Sequence, residues 1–448
     1  MKVFMLGWEF PPHISGGLGT ACYGLTKGLD ELGVEVSFVL PTAVPLSTPS
    51  HVKLQSPSSL PQARAKGRSA KQPDQSPEII EGFEHMEIHR VSAVLQPYAT
   101  PEAFEQAAAE LRSQQARKPQ GRADTADMPA GTFDAAGGAY YDGDLMVQVH
   151  KYARLAVELA RLEDFDVIHA HDWMTFPAGQ AVAAAVGKPL LVHVHSTEFD
   201  RSGQKINQQI YEIERTGMHA AHRVICVSYL TRSIVVSRYH MPADKVEVVY
   251  NAVQAADSKR GPQAKPIRHN EKIVLFLGRV TMQKGPKYFL QAAKKVVEKY
   301  KKVRFVVAGS GDMIAQCLRE VADLNLGRYV TFTGFLKGED VDRVFKMADL
   351  YVMPSVSEPF GIAPLEAISH DVPVIISKQS GVSEVLTHVL KVDFWDINEM
   401  ANKILAVLRH PPLQKTLRQH GQIEVQKLSW RDSAEKILDL YAYAIQIT

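Results

Sequence analysis

Short apolar runs rich in β-branched residues alternate with amphipathic segments along most of this chain. In the first half, the runs that predict strands are KVFMLG, EVSFVL, DVIHAH, LLVHVH and RVICVS. In the second half, they are KIVLFLG, RFVVAG, VTFTG, DLYVMP and VPVIIS. The segments that predict helices are GTACYGLTKGLDELG, DLMVQVHKYARLAVELARL, GPKYFLQAAKKVVEKYK, MIAQCLREVADLN and GEDVDRVFKMA. This alternation predicts parallel, doubly wound α/β sheets.

The length of 448 residues predicts two such sheets, because a single hydrophobic core stops growing well below that size. We place the join in the polar segment VVYNAVQAADSKRGPQAKPIRHNEK. The predicted parts are a first domain at 1–252, a second at 253–428 and a terminal helix at 429–448.

Two segments of the first domain, about 45–78 and 113–132, depart from the alternating pattern. Both are short of aromatic residues and rich in Ser, Pro, Gln and basic residues. We expect mobile insertions there, because such segments cannot bury enough apolar surface to offset the entropy of ordering. The alternative is a docking segment for an acidic partner or polymer, suggested by the excess of Lys and Arg.

Composition narrows the classes of partner. Lys and Arg together number 51 against 49 for Asp and Glu, so the strong positive field needed for non-specific nucleic-acid binding is missing. No run reaches the roughly 18 apolar residues that predict a membrane span, which indicates a soluble protein. Cys22, Cys226 and Cys317 lack metal-ligand spacing, and the N-terminus does not resemble a secretory signal. We expect buried thiols and a cytoplasmic location.

A first candidate binding site follows the first predicted strand. Gly16, Gly17 and Gly19 lie where the chain turns into the first helix, and small residues there let backbone N–H groups approach a ligand. Their spacing differs from the dinucleotide fingerprint, and no acid closes the second strand. A tight turn that needs glycine is the alternative explanation.

A second candidate site follows KIVLFLG, where Arg279 and Lys284 precede a helix. Two cations just beyond a strand suit a diphosphate, although a solvated basic turn is the alternative. Gly311 in AGSGD and Phe335 in TGFL follow the next two strands, and MPSVSEPFG follows a third. In a parallel sheet these strand ends share the edge at which ligands bind.

Glu358 and Glu366 lie eight residues apart on either side of a predicted helix start. The N–H groups around Gly361, Ile362 and Ala363 would bind an anion there. We expect Glu358 to bind hydroxyls of a sugar and Glu366 those of a ribose. The alternatives are a solvated loop acid for Glu358 and a surface acid near a helix N-terminus for Glu366.

The segments GRVTMQKG, VVAGSGD, VTFTGFL and SEPFGIAPLEA, in this order, resemble the donor-binding half of the retaining GT-B glycosyltransferases of family four. Glu358 and Glu366 match the E-x7-E motif of that family. WEFPPHISGGLG, VIHAHDWMT and HVHSTEFDRSG resemble its glycogen-synthase-like branch, and LSWRDSAEKILDLYAYAI resembles the helix that crosses back to the first domain. The resemblance covers nearly the whole chain apart from the two insertions.

The chain also departs from the family patterns. Ser15 stands where the starch and glycogen synthases of family five usually carry Lys, which favours family four. The frequent NGV at the join is NAV here, at Asn251 to Val253, and the usual GG before VSE is Ser380-Gly381. These substitutions leave the backbone geometry at the hinge and at the cleft edge open.

The resemblance implies a role for each matched residue. Arg279 and Lys284 would hold the diphosphate and assist its departure, Glu358 would contact the transferred sugar and Glu366 the ribose. His195 would face the reacting carbon through a ring nitrogen or its backbone carbonyl.

Two further expectations concern nearby residues: the first, for His193, comes from the strand pattern, and the second, for Asp172, comes from the resemblance. We expect the side chain of His193 to point to the face opposite His195. Asp172 is a candidate for contact with the sugar or acceptor, and a cap on the following helix is the alternative.

The alternating pattern predicts two Rossmann-like domains, and the resemblance implies that they face a cleft in the GT-B arrangement and carry out a retaining transfer of glucose. The expected donor is UDP- or ADP-glucose and the expected acceptor an oligo- or polysaccharide, with an α-glucan end favoured. No metal or cofactor is expected, because no DxD is predicted on a loop after a strand, and the close match at Asp142 to Asp144 precedes a helix.

Other functions stay open at this point. The alternatives are a sucrose-phosphate-type transferase, a glycolipid hexosyltransferase, a nucleotide-sugar epimerase or a non-catalytic sugar-nucleotide-binding protein. The sequence leaves the nucleotide base and the oligomeric state open.

Overall fold

The computed structural model describes residues 1–11, 16–41, 85–91, 143–253 and 271–448. Thirteen strands lie in these ranges and form two sheets. The strands are β1 (Lys2–Leu6), β2 (Glu35–Pro41), β3 (Met86–Val91), β4 (Val167–His171), β5 (Leu190–Val194), β6 (Arg223–Cys226), β7 (Val246–Val248), β8 (Lys272–Leu277), β9 (Val303–Ala308), β10 (Val330–Gly334), β11 (Leu350–Met353), β12 (Val374–Ser377) and β13 (Leu390–Val392).

Both sheets are parallel and doubly wound. The first has the order β3-β2-β1-β4-β5-β6-β7 and the second β10-β9-β8-β11-β12-β13. In each, the chain starts at an inner strand, moves to one edge and then returns to the other side, which creates a switch point where ligands bind in such folds. The switch lies between β1 and β4 in the first sheet and between β8 and β11 in the second.

Helices cover the sheets. They are α1 (Gly17–Glu31), α2 (Gly143–Ala160), α3 (Phe176–Val186), α4 (Glu198–Ser202), α5 (Gln208–Ala220), α6 (Tyr229–Arg238), α7 (Pro286–Lys299), α8 (Ile314–Asp323), α9 (Glu339–Met347), α10 (Ile362–Ser369), α11 (Val382–Val385), α12 (Ile397–Arg409), α13 (Pro411–Val425) and α14 (Trp430–Gln446). A 3₁₀ helix spans Met282–Lys284. The central strands are almost continuously apolar because helices bury both of their faces.

The terminal helix α14 packs against α1 of the first sheet. A Cβ atom added at Gly24 would lie 2.1 Å from the indole ring of Trp430, so α1 needs glycine there for the two helices to approach. The hydroxyl of Ser433 donates a hydrogen bond to the carbonyl oxygen of Tyr250 at 2.7 Å. The prediction that the C-terminal helix crosses back to the first domain is therefore confirmed.

All ten predicted strands are present, and the predicted doubly wound architecture is confirmed. Sequence reasoning missed β3, β7 and β13, which lie at the edges of the sheets. The two predicted insertions and residues 254–270 of the predicted join lie outside the described residues, so the domain boundaries stay predictions. None of the helices in the described ranges is long and apolar enough to cross a membrane.

Candidate functional site

The loops that follow the carboxyl ends of the strands in the two sheets meet each other. The hydroxyl of Ser357, after β11, donates to Asp200 Oδ1 beyond β5 at 2.5 Å. The hydroxyl of Ser228, after β6, donates to the carbonyl oxygen of Pro359 at 2.5 Å. Because ligands of doubly wound sheets bind at this edge, the space between the two edges is the candidate active site.

Lys284 and Glu358 form an ion pair at the edge of the second sheet. Lys284 Nζ lies 2.9 Å from Glu358 Oε1 and 2.7 Å from Oε2, and Ser355 donates to Oε2 at 3.0 Å. Glu358 is only 6% exposed, and the side chain of Lys284 is 21% exposed. The alternative of a solvated loop acid for Glu358 is therefore wrong, because this carboxylate is buried and paired with Lys284.

Two backbone features hold the turn that carries Arg279. Arg279 follows β8 and is half-buried, and its neighbour Val280 donates its N–H to the carbonyl oxygen of Ser310 at 2.8 Å. A Cβ atom at Gly311 would lie 2.3 Å from the Val280 carbonyl oxygen. Gly311 is therefore needed for the close approach of the two loops, which holds the turn carrying Arg279 against the end of β9.

The helix start predicted after Glu358 is present. Gly361 precedes α10 with a φ of 103°, a conformation that favours glycine, and Ile362 and Ala363 open the helix. Glu366 lies one turn inside and is half-buried. Burial, followed by the negative charge of Asp342, raises the pKa of Glu366 to about 7. This acid therefore changes charge near neutral pH, unlike an ordinary surface carboxylate.

Phe335 lies at the end of β10 with 49% of its surface exposed. Lys337 Nζ lies 5.5 Å from the centre of its ring. An exposed ring at this edge offers a stacking surface for a nucleotide base.

The edge of the first sheet carries four histidines, two on β4 and two at the end of β5. The ring of His195 is half-buried, and its Nε2 lies 2.9 Å from His171 Nδ1. Burial lowers the pKa of His195 to about 3, so its imidazole is neutral. The expectation that His193 points away from His195 is wrong, because the rings stack 4.2 Å apart. Residues i and i+2 of a strand share one face.

Asp172 holds the backbone that carries His195. Its Oδ1 accepts hydrogen bonds from the N–H groups of His195 at 2.7 Å and Ser196 at 3.3 Å. The cap alternative is wrong, since α3 begins at Phe176 and Thr175 occupies the N-cap position. Burial raises the pKa of Asp172 to about 7, although the charge of Arg201 opposes the shift. The residue also has a φ of 59°, an uncommon backbone conformation for a non-glycine residue.

The glycine-rich turn lies at the start of α1 as predicted. Gly16 is the N-cap residue, Gly17 opens the helix, and the N–H of Gly19 donates to Glu9 Oε2 at 3.1 Å. A carboxylate thus already binds one of the N–H groups that were expected to bind a ligand. Sequence reasoning missed Glu9, whose signal was an acid between the first strand and the glycines.

A second missed group lies beneath the loop after β5. Arg201 Nε donates to Glu198 Oε2 at 3.2 Å, and its Nη2 bonds to Glu214, which also accepts from Tyr239. Arg201 Nη1 donates to the carbonyl oxygen of Ser196 at 3.1 Å. This buried network fixes the loop next to His195.

A third missed contact joins the two parts of the chain. The carboxylate of Glu384 accepts hydrogen bonds from the N–H groups of Tyr229 at 2.9 Å and Leu230 at 2.8 Å, at the start of α6. It also accepts from the Tyr250 hydroxyl at 3.0 Å. An acid at a positive helix end is favourable, and here it comes from the opposite sheet.

Two sets of side chains in the described ranges bring potential metal ligands within 4.8 Å of one another. One set is Cys22, His171 and His195, and the other is His169, His171 and His193.

Comparison with known families identifies the class of protein. Residues 257–423 match the family described as Glycosyl transferases group 1, and residues 140–257 match Glycosyltransferase Family 4. The chain therefore carries group 1 and family 4 glycosyltransferase domains. With its two doubly wound sheets, it is a glycosyltransferase of the GT-B type.

Individual similar proteins match this chain over nearly its full length. An uncharacterized glycosyltransferase of Methanocaldococcus jannaschii is 26% identical over 464 residues, covering 100% of this chain and 99% of the relative. Sucrose-phosphate synthase from Thermosynechococcus elongatus has a TM-score of 0.69 at 18% identity, over 100% of both chains. The catalytic domain of Starch Synthase IV from Arabidopsis thaliana, bound to ADP and acarbose, has a TM-score of 0.66 at 15% identity, over 99% of both chains. These structural similarities establish the fold alone.

Proposed function

We propose that this protein is a retaining glucosyltransferase of the glycogen-synthase-like branch. It transfers glucose from UDP- or ADP-glucose to an oligo- or polysaccharide, with the end of an α-glucan as the favoured acceptor. The observation that carries the proposal is the buried Lys284–Glu358 pair beside the start of α10. The likeness to a starch synthase supports the choice of a glucan.

Donor binding would exchange the partners of this ion pair. The diphosphate offers Lys284 a more highly charged partner than one carboxylate, and Arg279 adds a planar guanidinium that can bind two phosphate oxygens. Glu358, released from Lys284, can then accept hydrogen bonds from hydroxyls of the glucose. The pair thus keeps both charges neutralised until the donor arrives.

The geometry of the second sheet supports the remaining donor contacts that we propose. The N–H groups of Ile362 and Ala363 point out of the start of α10 and can bind a phosphate oxygen. Glu366, one turn further along, would bind the ribose hydroxyls. Phe335 provides an exposed ring near the strand edge for the base.

The proposed transfer is a same-face displacement. The bond from the anomeric carbon to the diphosphate oxygen breaks as the acceptor oxygen bonds to the same face of that carbon. The acceptor proton passes to the leaving diphosphate oxygen. Lys284, Arg279 and the helix N–H groups stabilise the developing negative charge, so the proposed mechanism assigns no step to a metal ion.

His195 would face the anomeric carbon from the first sheet. Its imidazole is neutral, so it can donate one hydrogen bond without adding a positive charge beside the forming oxocarbenium-like centre. Asp172 is a positioning residue in this proposal, because it binds the His195 backbone N–H at 2.7 Å.

A sucrose-phosphate-type transferase is the second candidate, since the similarity to sucrose-phosphate synthase also spans the whole chain. The test incubates purified protein with labelled UDP-glucose or ADP-glucose and glycogen, maltooligosaccharides, fructose 6-phosphate or lipid extract. We expect glucose on a glucan in an α linkage, with release of nucleotide diphosphate. Transfer to fructose 6-phosphate alone would favour the second candidate, and no transfer to any acceptor would refute the proposal.

The three cysteines of the chain are free and buried. This arrangement fits the proposed cytoplasmic location, where thiols stay reduced.

A further inference from the structure

Four histidine rings lie together behind the candidate active site. His169 and His171 project from β4, and His193 and His195 from the end of β5, so alternate residues of two neighbouring strands share one face. Ring centres of His171 and His193 are 5.3 Å apart, and those of His169 and His171 are 4.3 Å apart. The proposed transfer uses only His195.

The three inner rings are buried with nitrogens that lack partners. His169 and His171 have no exposed surface, and His193 is 2% exposed. Among the described residues, no hydrogen bond reaches His169 Nε2, His171 Nε2 or either ring nitrogen of His193. A buried polar atom without a partner is costly, so several such atoms in one place indicate a missing ligand.

The other ring nitrogens of two of these residues are already bonded. His169 Nδ1 lies 2.5 Å from the Tyr441 hydroxyl of α14, and His171 Nδ1 lies 2.9 Å from His195 Nε2. If each Nδ1 carries the proton, each Nε2 keeps a free lone pair. Histidines that bind metals show this division, with one nitrogen on the metal and the other donating to a neighbour.

We propose that His169, His171 and His193 form a binding site for a transition-metal ion of the zinc type. One ring nitrogen of each of the three residues lies within 4.8 Å of the others, a spacing at which the three imidazoles could hold one metal ion. Neutral imidazole suits zinc, copper, nickel and cobalt, whereas magnesium and calcium prefer oxygen ligands.

The overlapping set that contains Cys22 includes His195, which the proposed transfer places at the reacting carbon. The set of His169, His171 and His193 uses no residue of that transfer, and it contains the ring nitrogens that lack partners.

The site lies one hydrogen bond behind His195. A metal on His171 Nε2 would strengthen the donor at His171 Nδ1 and so fix the proton of His195 on its Nδ1. The inference concerns the three inner histidines and stands whether or not the proposed glucose transfer is correct.

Zinc binding to the full chain tests the site without any assay of transfer. Protein stripped with a chelator is dialysed against Zn²⁺, and bound metal is counted after gel filtration. We expect one Zn²⁺ per chain, a dissociation constant below about 1 µM and a raised melting temperature. Replacing zinc with Co²⁺ should give the visible absorption of a nitrogen-ligated cobalt ion, whereas Mg²⁺ should not bind.

Variants assign the ligands. His193→Gln should weaken zinc binding more than 100-fold, and Tyr441→Phe, which removes only the partner of His169, should weaken it about 10- to 100-fold. The control is His388→Gln, which disrupts an exposed stacked pair of histidines with centres 4.7 Å apart. X-ray absorption spectroscopy of the unmodified, zinc-loaded protein should show three imidazole ligands. This measurement does not depend on whether the variants fold. The proposal would be overturned if the protein bound no zinc, or if zinc were lost with His388→Gln but retained with His193→Gln. Buried water would then be the occupant of the site.

Discussion

The two sheet edges that form the candidate active site hold their polar groups in opposite ways. At the second sheet, Lys284 and Glu358 are charged and neutralise each other across 2.7 Å. At the first sheet, His195 is neutral. Its backbone N–H donates a hydrogen bond to Asp172, whose carboxyl group has a raised pKa. The charged edge suits the diphosphate of the donor, and the neutral edge suits a reacting carbon that becomes positive. We infer from this difference that the second sheet binds the diphosphate and that the first sheet contacts the reacting carbon.

Removing the cation of the charged edge should have the largest effect. Lys284→Ala should lower kcat on the order of 10²-fold or more, because the charge stabilises the leaving group as its bond breaks. It also leaves Glu358 buried without its partner, so the melting temperature is measured in parallel. Lys287→Ala, an exposed lysine at the start of α7, is the control and should leave kcat unchanged. A near-normal rate in folded Lys284→Ala would refute the role of this edge.

At the neutral edge, Asp172 should act through geometry, so its removal should cost stability as well as rate. Asp172→Ala leaves the N–H groups of His195 and Ser196 without their acceptor, which should lower the free energy of unfolding by about 1–3 kcal/mol. Asp172→Asn keeps an acceptor oxygen and should retain most of that stability. Chemical denaturation of the two variants measures the difference. Equal losses would show that charge, and not hydrogen bonding, is what matters at this position.

The pH dependence should separate Glu366 from the rest of the charged edge. Its pKa is raised to about 7, so the folded protein holds this proton at a pH where the unfolded chain has lost it. Its contribution to the free energy of unfolding therefore falls as the pH rises from the unfolded value towards 7, and then levels off.

Donor binding should show the opposite trend, because only the ionised acid accepts hydrogen bonds with both oxygens. Affinity for free nucleotide diphosphate should rise several-fold between pH 6 and pH 8. Glu366→Gln should remove most of this slope, whereas Asp172→Asn should keep it. Titration calorimetry at four pH values makes the measurement, and an unchanged slope in Glu366→Gln would rule out the ribose contact.

The smallest expected effect concerns the contact that joins the two edges. Glu384→Gln keeps one of the two acceptor oxygens that bind the N–H groups of Tyr229 and Leu230, and it removes the charge at the helix start. We expect a loss of at most about 1 kcal/mol in the free energy of unfolding, and a KM that rises more than kcat falls. A fall in kcat with an unchanged KM would show that Glu384 acts on the chemistry itself.

The sequence predicted the central strands well, because strands buried on both faces are continuous apolar runs. It missed the edge strands β3, β7 and β13, and the last two have only three residues each and no periodicity to detect. The glycines, cations and acids of the second sheet could be predicted to lie along one edge, because parallel strands bring their carboxyl ends to the same edge.

What the sequence could not predict was pairing between distant side chains. Lys284 and Glu358 are 74 positions apart, and their ion pair depends on how two loops fold over each other. Glu384 and the start of α6 are separated by an even longer stretch of chain. The stacking of His193 on His195 could have been predicted, because residues two positions apart in a strand point to the same face. Our expectation that they point to opposite faces did not apply this rule.

In the proposed mechanism, Lys284 exchanges Glu358 for the diphosphate when the donor binds. Titration calorimetry on Glu358→Gln tests this exchange most directly. The variant keeps the size of the side chain and removes the charge that competes with the diphosphate for Lys284. We expect free nucleotide diphosphate to bind as tightly as before or more tightly. The additional affinity that the glucose confers on the nucleotide sugar should be lost, by about 10-fold or more. If Glu358→Gln weakens free nucleotide diphosphate as much as it weakens the nucleotide sugar, Glu358 does not bind the glucose and the proposed exchange is wrong.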